Sequence, residues 1–242
     1  MDDLVHSCQE IAYDIDFPTV RAWKAADPVR KTVGYFPVYA PAEIIHALGM
    51  LPVGLHGAGD RLDLQHADAR FGSFICSIVK TTMEMGMTNH LDVFDALLFS
   101  TICDTARNLC FVMKRNFPDT LIEFLHLPHN PESTATVEML VAEYRRLCAK
   151  LEPLAGPLDP EALRRSIELY NEERSLVRYL TSVRQESPHL LRAWELTCLL
   201  RAGDVLPIEE YIPILNKAAA EVIERDVRPR DSIRVIVEGS FC

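Results

Sequence analysis

Two cysteines stand where chemistry would be expected. Cys76 closes the stretch Phe71-Gly-Ser-Phe-Ile-Cys76, and Cys103 lies in Ser100-Thr-Ile-Cys103-Asp104 directly after an apolar run. A thiolate near a helix N-terminus is stabilised by the helix dipole, and such sulfurs suit a soft metal or an iron–sulfur cluster. Spacing by itself does not decide the matter. No Cys-x-x-Cys pair and no ferredoxin-type run occurs, zinc is weakly supported for the same reason, and two buried thiols filling small gaps remain the ordinary alternative.

The other cysteines read as core. Cys110 is two helical turns beyond Cys103, about 10 Å further along the axis, and Cys8, Cys148 and Cys198 fall on amphipathic helical patterns. Glu43 and His46 are three residues apart and share a helix face, so they could move protons, although an ion pair or a solvated face is the commoner role for such residues. The stretch Gly54-Leu-His-Gly57-Ala-Gly59-Asp60 could cradle a phosphate, but its glycine spacing is not the dinucleotide fingerprint and a tight loop is the more frequent outcome. A Walker A sequence is absent, so any ATP hydrolysis belongs to a partner.

The elements that must position these residues alternate. Thr32 to Tyr39 reads as a strand, Glu43 to Leu48 as a helix capped by Gly49, and Leu51 to Leu55 as a second strand. A helix from Asp68 to Gly86 leads to a third strand, Val93 to Phe99, whose unbroken apolar character fits a strand buried on both faces. Asp104 is placed to cap a helix from Thr105 to Asn116, and Leu121 to Leu125 forms a fourth strand. Alternation of this kind predicts an α/β fold with a doubly wound, mostly parallel sheet over residues 1–130, with function at the carboxyl ends of its strands.

Beyond that, long helical patterns run from Glu132 to Lys150, Asp159 to Arg184, Leu190 to Ala202 and Pro207 to Arg225, a helical connector over 131–230. Ser232-Ile-Arg-Val-Ile-Val-Glu238 then reads as the first strand of a second α/β domain over 231–242, which suggests a truncated chain.

Composition narrows the classes. The 242 residues are 48% hydrophobic and 25% charged, an ordinary globular balance, and the formal charge of -10 without clustered Lys or Arg argues against nucleic acid. No apolar run reaches the roughly 20 residues of a membrane span, and the acidic first residues do not read as a secretory signal. Seven cysteines are too scattered for a disulfide framework. A cytoplasmic protein with reduced thiols is expected.

Taken together, Val33-Gly-Tyr-Phe-Pro-Val-Tyr-Ala-Pro-Ala-Glu43 with its continuation to Pro52, Ile75-Cys76-Ser77, Ser100 to Asp104, and Leu158 to Asn171 resemble the family of 2-hydroxyacyl-CoA dehydratases and class I benzoyl-CoA reductases. Within it the chain is most similar to a small cluster-bearing subunit of the ATP-dependent benzoyl-CoA reductases. The resemblance implies a [4Fe–4S] cluster with Cys76 and Cys103 as the two ligands of the first lobe and a third ligand late in the second lobe. Cys242 matches a glycine-turn cysteine at the start of that lobe and is not assigned to the cluster.

It further implies single-electron reduction of an acyl-CoA thioester or of its aromatic ring, as in the reduction of benzoyl-CoA in anaerobic aromatic degradation. The implied partners are a homologous cluster-bearing subunit, ATP-hydrolysing electron-activating subunits and ferredoxin as upstream donor. Ring reduction also needs protons, which Glu43 or His46 could supply on the ground of their position alone. Two alternatives stay open: a 2-hydroxyacyl-CoA dehydratase subunit, and a structural or electron-relay subunit without its own substrate site.

Overall fold

The structure, a computed structural model, describes residues 1–229, 233 and 235. Two helices, α1 (Asp2–Tyr13) and α2 (Pro18–Ala25), precede β1 (Lys31–Phe36), α3 (Ala42–Ala47) and β2 (Met50–Gly54). Then come α4 (Gln65–Asp68), α5 (Ser77–Met87), β3 (Ala96–Ser100), α6 (Asp104–Asn116) and β4 (Leu121–Leu125). Four helices close the described chain: α7 (Thr136–Ala155), α8 (Pro160–Glu186), α9 (Ala193–Gly203) and α10 (Ile208–Ile223).

The strands form one parallel sheet in the order β2-β1-β3-β4. The order in which strands are added therefore reverses between β1 and β3, the switch point at which doubly wound sheets open a crevice. Every residue of β3 is buried, as its apolar sequence requires of a central strand. Pro52 sits in β2, an outermost strand where a missing N–H costs least.

Strand residues alternate between two cores. Phe36, Leu51, Val53, Leu97, Phe99, Ile122 and Phe124 meet α5 and α6 on one face. Val33, Met50, Ala96 and Leu98 meet α3 and α7 on the other. A third cluster joins α1, α8, α9 and α10 around Tyr211, Leu199 and Leu215. The chain's first helix thus packs with its late helices, α1 lying against α9 and α8 against α3 and α10.

Several expected boundaries shift for local reasons. The strand expected to reach Tyr39 ends at Phe36, because Pro37 has no N–H for the ladder. The third strand begins at Ala96, since Leu91 to Phe94 form a turn in which the Phe94 amide donates to the Leu91 carbonyl. The single helix expected over Asp68 to Gly86 is two: residues 69–76 are non-helical around Gly72 and Ser73, yet Phe71 and Ile75 still pack on the core. Phe74, part of the same apolar spacing, is left 88% exposed. Of the strand expected over Ser232 to Glu238 only Ile233 and Val235 are described, and the rest of it and Cys242 lie outside the described residues. Among the described residues no helix is long and apolar enough to cross a membrane.

Candidate functional site at two helix N-termini

Cys103 is set by the turn that leaves β3. Ser100 donates its hydroxyl to the Val38 carbonyl at 2.7 Å, and Thr101 donates both its amide and its hydroxyl to the Leu125 carbonyl at 3.1 and 3.0 Å. These bonds tie the ends of β1, β3 and β4 into one rim. Cys103 itself, not Asp104, caps α6: its Sγ accepts from the Ala106 amide at 3.4 Å. Asp104 is the first helical residue instead, adding a carboxylate to the first turn where the dipole favours one.

Cys76 holds the equivalent place on α5, as its N-cap with extended backbone. The loop leading to it hangs from α5 by two charged contacts. Glu84, 1% exposed, accepts from the amides of His66 and Ala67 at 3.0 and 2.8 Å and pairs with His66 Nδ1 at 2.7 Å. Burial pushes the Glu84 carboxyl up, but the bonds from His66 and the two amides outweigh it and hold the group below its ordinary value. Lys80 Nζ meets Asp68 at 2.7 Å.

α5 and α6 lie on the same face of the sheet and pack closely. At Gly86 an added Cβ would lie 3.0 Å from Phe117 and 3.1 Å from Met113. Close packing at this end brings the two N-termini together at the other. Thr105 Oγ1 lies 3.0 Å from Cys103 Sγ and 3.9 Å from Cys76 Sγ, so the sulfurs are separated by no more than those two contacts placed end to end. Both cysteines are free and exposed. Two soft donors therefore sit at one point of the surface, each at the positive end of a helix, an arrangement suited to an anionic metal–sulfur group. Among the described residues no group of three or more His, Cys, Asp or Glu is placed to hold a metal ion.

The remaining described cysteines differ in kind. Cys8, Cys110 and Cys198 are buried, and Cys148 is half-buried. Burial pushes the Cys8 and Cys110 thiols up to about 11 and raises those of Cys148 and Cys198, which keeps all four protonated.

Glu43 and His46 share a face of α3, as their spacing implied, and that face is turned to the helical layer. Glu43 pairs with Arg174 of α8 at 2.7 Å. His46 contacts Ser166 Oγ through Nδ1 and Glu209 Oε1 through Nε2, both at 2.9 Å, while Ser166 donates to the Glu43 carbonyl. Neither side chain contacts either sulfur-bearing residue; both fasten α3 to α8 and α10.

Two groupings had no signal in the spacing. Thr105 is one, its role visible only once α5 and α6 are packed. The other is Tyr35, His56 and Asp204: Asp204 accepts from Gly54 N through its carbonyl at 2.7 Å, and its carboxylate meets His56 Nε2 at 2.9 Å and Tyr35 Oη at 3.3 Å. Burial and then Asp204 push the Tyr35 phenol well above its ordinary value, leaving it a hydrogen-bond donor. The neighbouring glycine stretch is a tight loop. Gly57 and Gly59 have φ of +72° and +60°, and a Cβ on Gly57 would fall 2.3 Å from Thr81 Oγ1. With Tyr13, Arg61 and Arg201 it borders a cavity of about 340 Å³.

Known proteins share much of this sequence. The chain is 40% identical over 241 residues to a benzoyl-CoA reductase subunit of Thauera aromatica, covering 99% of this chain and 62% of that protein. It is 31% identical over 215 residues to the lactoyl-CoA dehydratase subunit beta of Anaerotignum propionicum, covering 88% of this chain and 56% of that one. Identity to the (R)-2-hydroxyglutaryl-CoA dehydratase subunit beta of Acidaminococcus fermentans is 27% over 215 residues, 87% of this chain and 56% of that protein. The chain thus spans about 60% of the length of these relatives. The family model described as 2-hydroxyglutaryl-CoA dehydratase, D-component, matches residues 37–242, a span that includes both cysteine-capped helices, and the chain belongs to that family.

Proposed function

We propose that this chain is an iron–sulfur subunit of a benzoyl-CoA reductase-type oxidoreductase, with Cys76 and Cys103 supplying two ligands to a [4Fe–4S] cluster. The observation that carries this reading is the approach of two exposed thiols at the N-termini of two packed helices, joined through one hydroxyl. Sulfur donors, exposure and two positive helix ends all fit an anionic cluster. The remaining ligands come from outside the described residues.

When bound, such a cluster supplies one-electron transfer at low potential. The chain's own residues hold it: Cys76 and Cys103 bind, the Ala106 amide donates to the Cys103 sulfur, and the rim built by Ser100 and Thr101 fixes the turn. Phe71 and Ile75, packed on the core beneath the Cys76 loop, limit water on the inner side. Electrons come from an ATP-hydrolysing partner fed by ferredoxin, the enzyme is completed by a homologous cluster-bearing partner, and the substrate is a CoA-thioester. Glu43 and His46, offered by spacing as proton sources, are better read as fasteners of the helical layer given their contacts.

The similarity to lactoyl-CoA dehydratase subunit beta favours a second reading, dehydration of a 2-hydroxyacyl-CoA with the same electron input. Assay of the assembled complex with benzoyl-CoA and with a 2-hydroxyacyl-CoA separates the two. Ring reduction is the expected result; turnover of the hydroxyacyl thioester alone contradicts it.

A further inference from the structure

We infer that the Thr105 hydroxyl is a positioning group for both sulfurs and sets the reduction potential of the cluster they bind, an inference resting on the cluster assignment above. The hydroxyl has a different partner from those of threonines further along their helices, and of Thr88 at the end of α5. Thr81, Thr82, Thr88, Thr181 and Thr197 each donate to the carbonyl four residues earlier. Thr105 is the second residue of α6, and the residue four places before it is Thr101, in the turn after β3. Its oxygen instead lies 3.0 Å from Cys103 Sγ and 3.9 Å from Cys76 Sγ.

Once the sulfurs are metal-bound they carry no proton, so the hydroxyl is the donor and its single hydrogen goes to Cys103, the nearer sulfur. With the Ala106 amide at 3.4 Å, Cys103 then accepts two hydrogen bonds. A hydrogen bond to a ligating sulfur stabilises the reduced cluster more than the oxidised one, because the added electron increases negative charge on sulfur. The same oxygen lies 3.9 Å from Cys76 Sγ, between the two ligands.

The test compares Thr105→Val, which keeps shape and removes the hydroxyl, with Thr105→Ser, which keeps the hydroxyl. Iron content and an EPR-monitored redox titration are measured on anaerobically purified protein. The expected result is a midpoint potential moved to more negative values in Thr105→Val and held at the wild-type value in Thr105→Ser. Loss of iron from Thr105→Val but not from Thr105→Ser also supports the role. An unchanged potential in iron-replete Thr105→Val overturns it while leaving the cluster assignment standing. An effect in Thr105→Ser as large as or larger than that in Thr105→Val overturns it in favour of side-chain packing, and wild-type protein without iron overturns both.

Discussion

At Cys103 the sulfur already has an amide and a hydroxyl directed at it, whereas Cys110, seven residues on in the same helix, is enclosed in the core. Residue type and distance from the helix start were enough to separate these two in the sequence. The pairing of Cys103 with Cys76 came from the family resemblance and from placing both at the strand ends, while their spacing alone did not carry it, since contact depends on how α5 and α6 pack. Glu43 and His46 show the converse. Their i, i+3 spacing correctly put them on one face, but the partners of that face, Ser166, Arg174 and Glu209, lie more than a hundred residues later. His46→Ala is expected to lower unfolding stability by about 1–2 kcal/mol through loss of two hydrogen bonds, with iron content unchanged. Urea titration and iron analysis check this. Full stability and iron with lost turnover would instead return His46 to proton delivery.

Among the elements, the strands and most helices were legible from period and caps: Asp159 does cap α8, accepting from the amides of Glu161 and Ala162, with Pro160 at the first turn. The break between α4 and α5 was not, because Phe71 and Ile75 keep helical spacing while the backbone turns at Gly72. The α5–α6 seam makes its own demand. Gly86→Val should cost about 1–3 kcal/mol by overpacking against Met113 and Phe117, measured by thermal or urea unfolding. Wild-type stability in that variant would mean the seam can open without cost.

Glu84 gives the loop before Cys76 a pH dependence. Its carboxyl is held lower in the folded chain than in the unfolded one, so its contribution is complete above about pH 4.3, the ordinary glutamate value, and is lost as pH falls through the folded value. Unfolding measured from pH 6 to pH 3 should therefore show a steeper acid decline for wild type than for Glu84→Gln. Parallel profiles would remove Glu84 as a contributor.

On the scale of the whole molecule, the sheet and the helical layer are joined at both sides of β1 and β2. α3 is bound to α8 and α10 by Glu43 and His46, and the end of β2 is bound to Asp204 through the Gly54 amide and His56. Sequence alternation announced the sheet, and a long helical run announced the layer, but long-range side-chain pairs such as His56 with Asp204 leave no periodic trace. What this architecture presents is a hydrogen-bonded rim with two cysteines at the carboxyl side of the central strands. The most direct test of that account is iron and acid-labile sulfide analysis of anaerobically purified protein, wild type against Cys76→Ala and Cys103→Ala, with circular dichroism to confirm folding. The account predicts iron and sulfide in equal amounts in the wild type and their loss from this chain's site in each folded variant. Colourless, iron-free wild type, or variants that keep the full iron content, would contradict it.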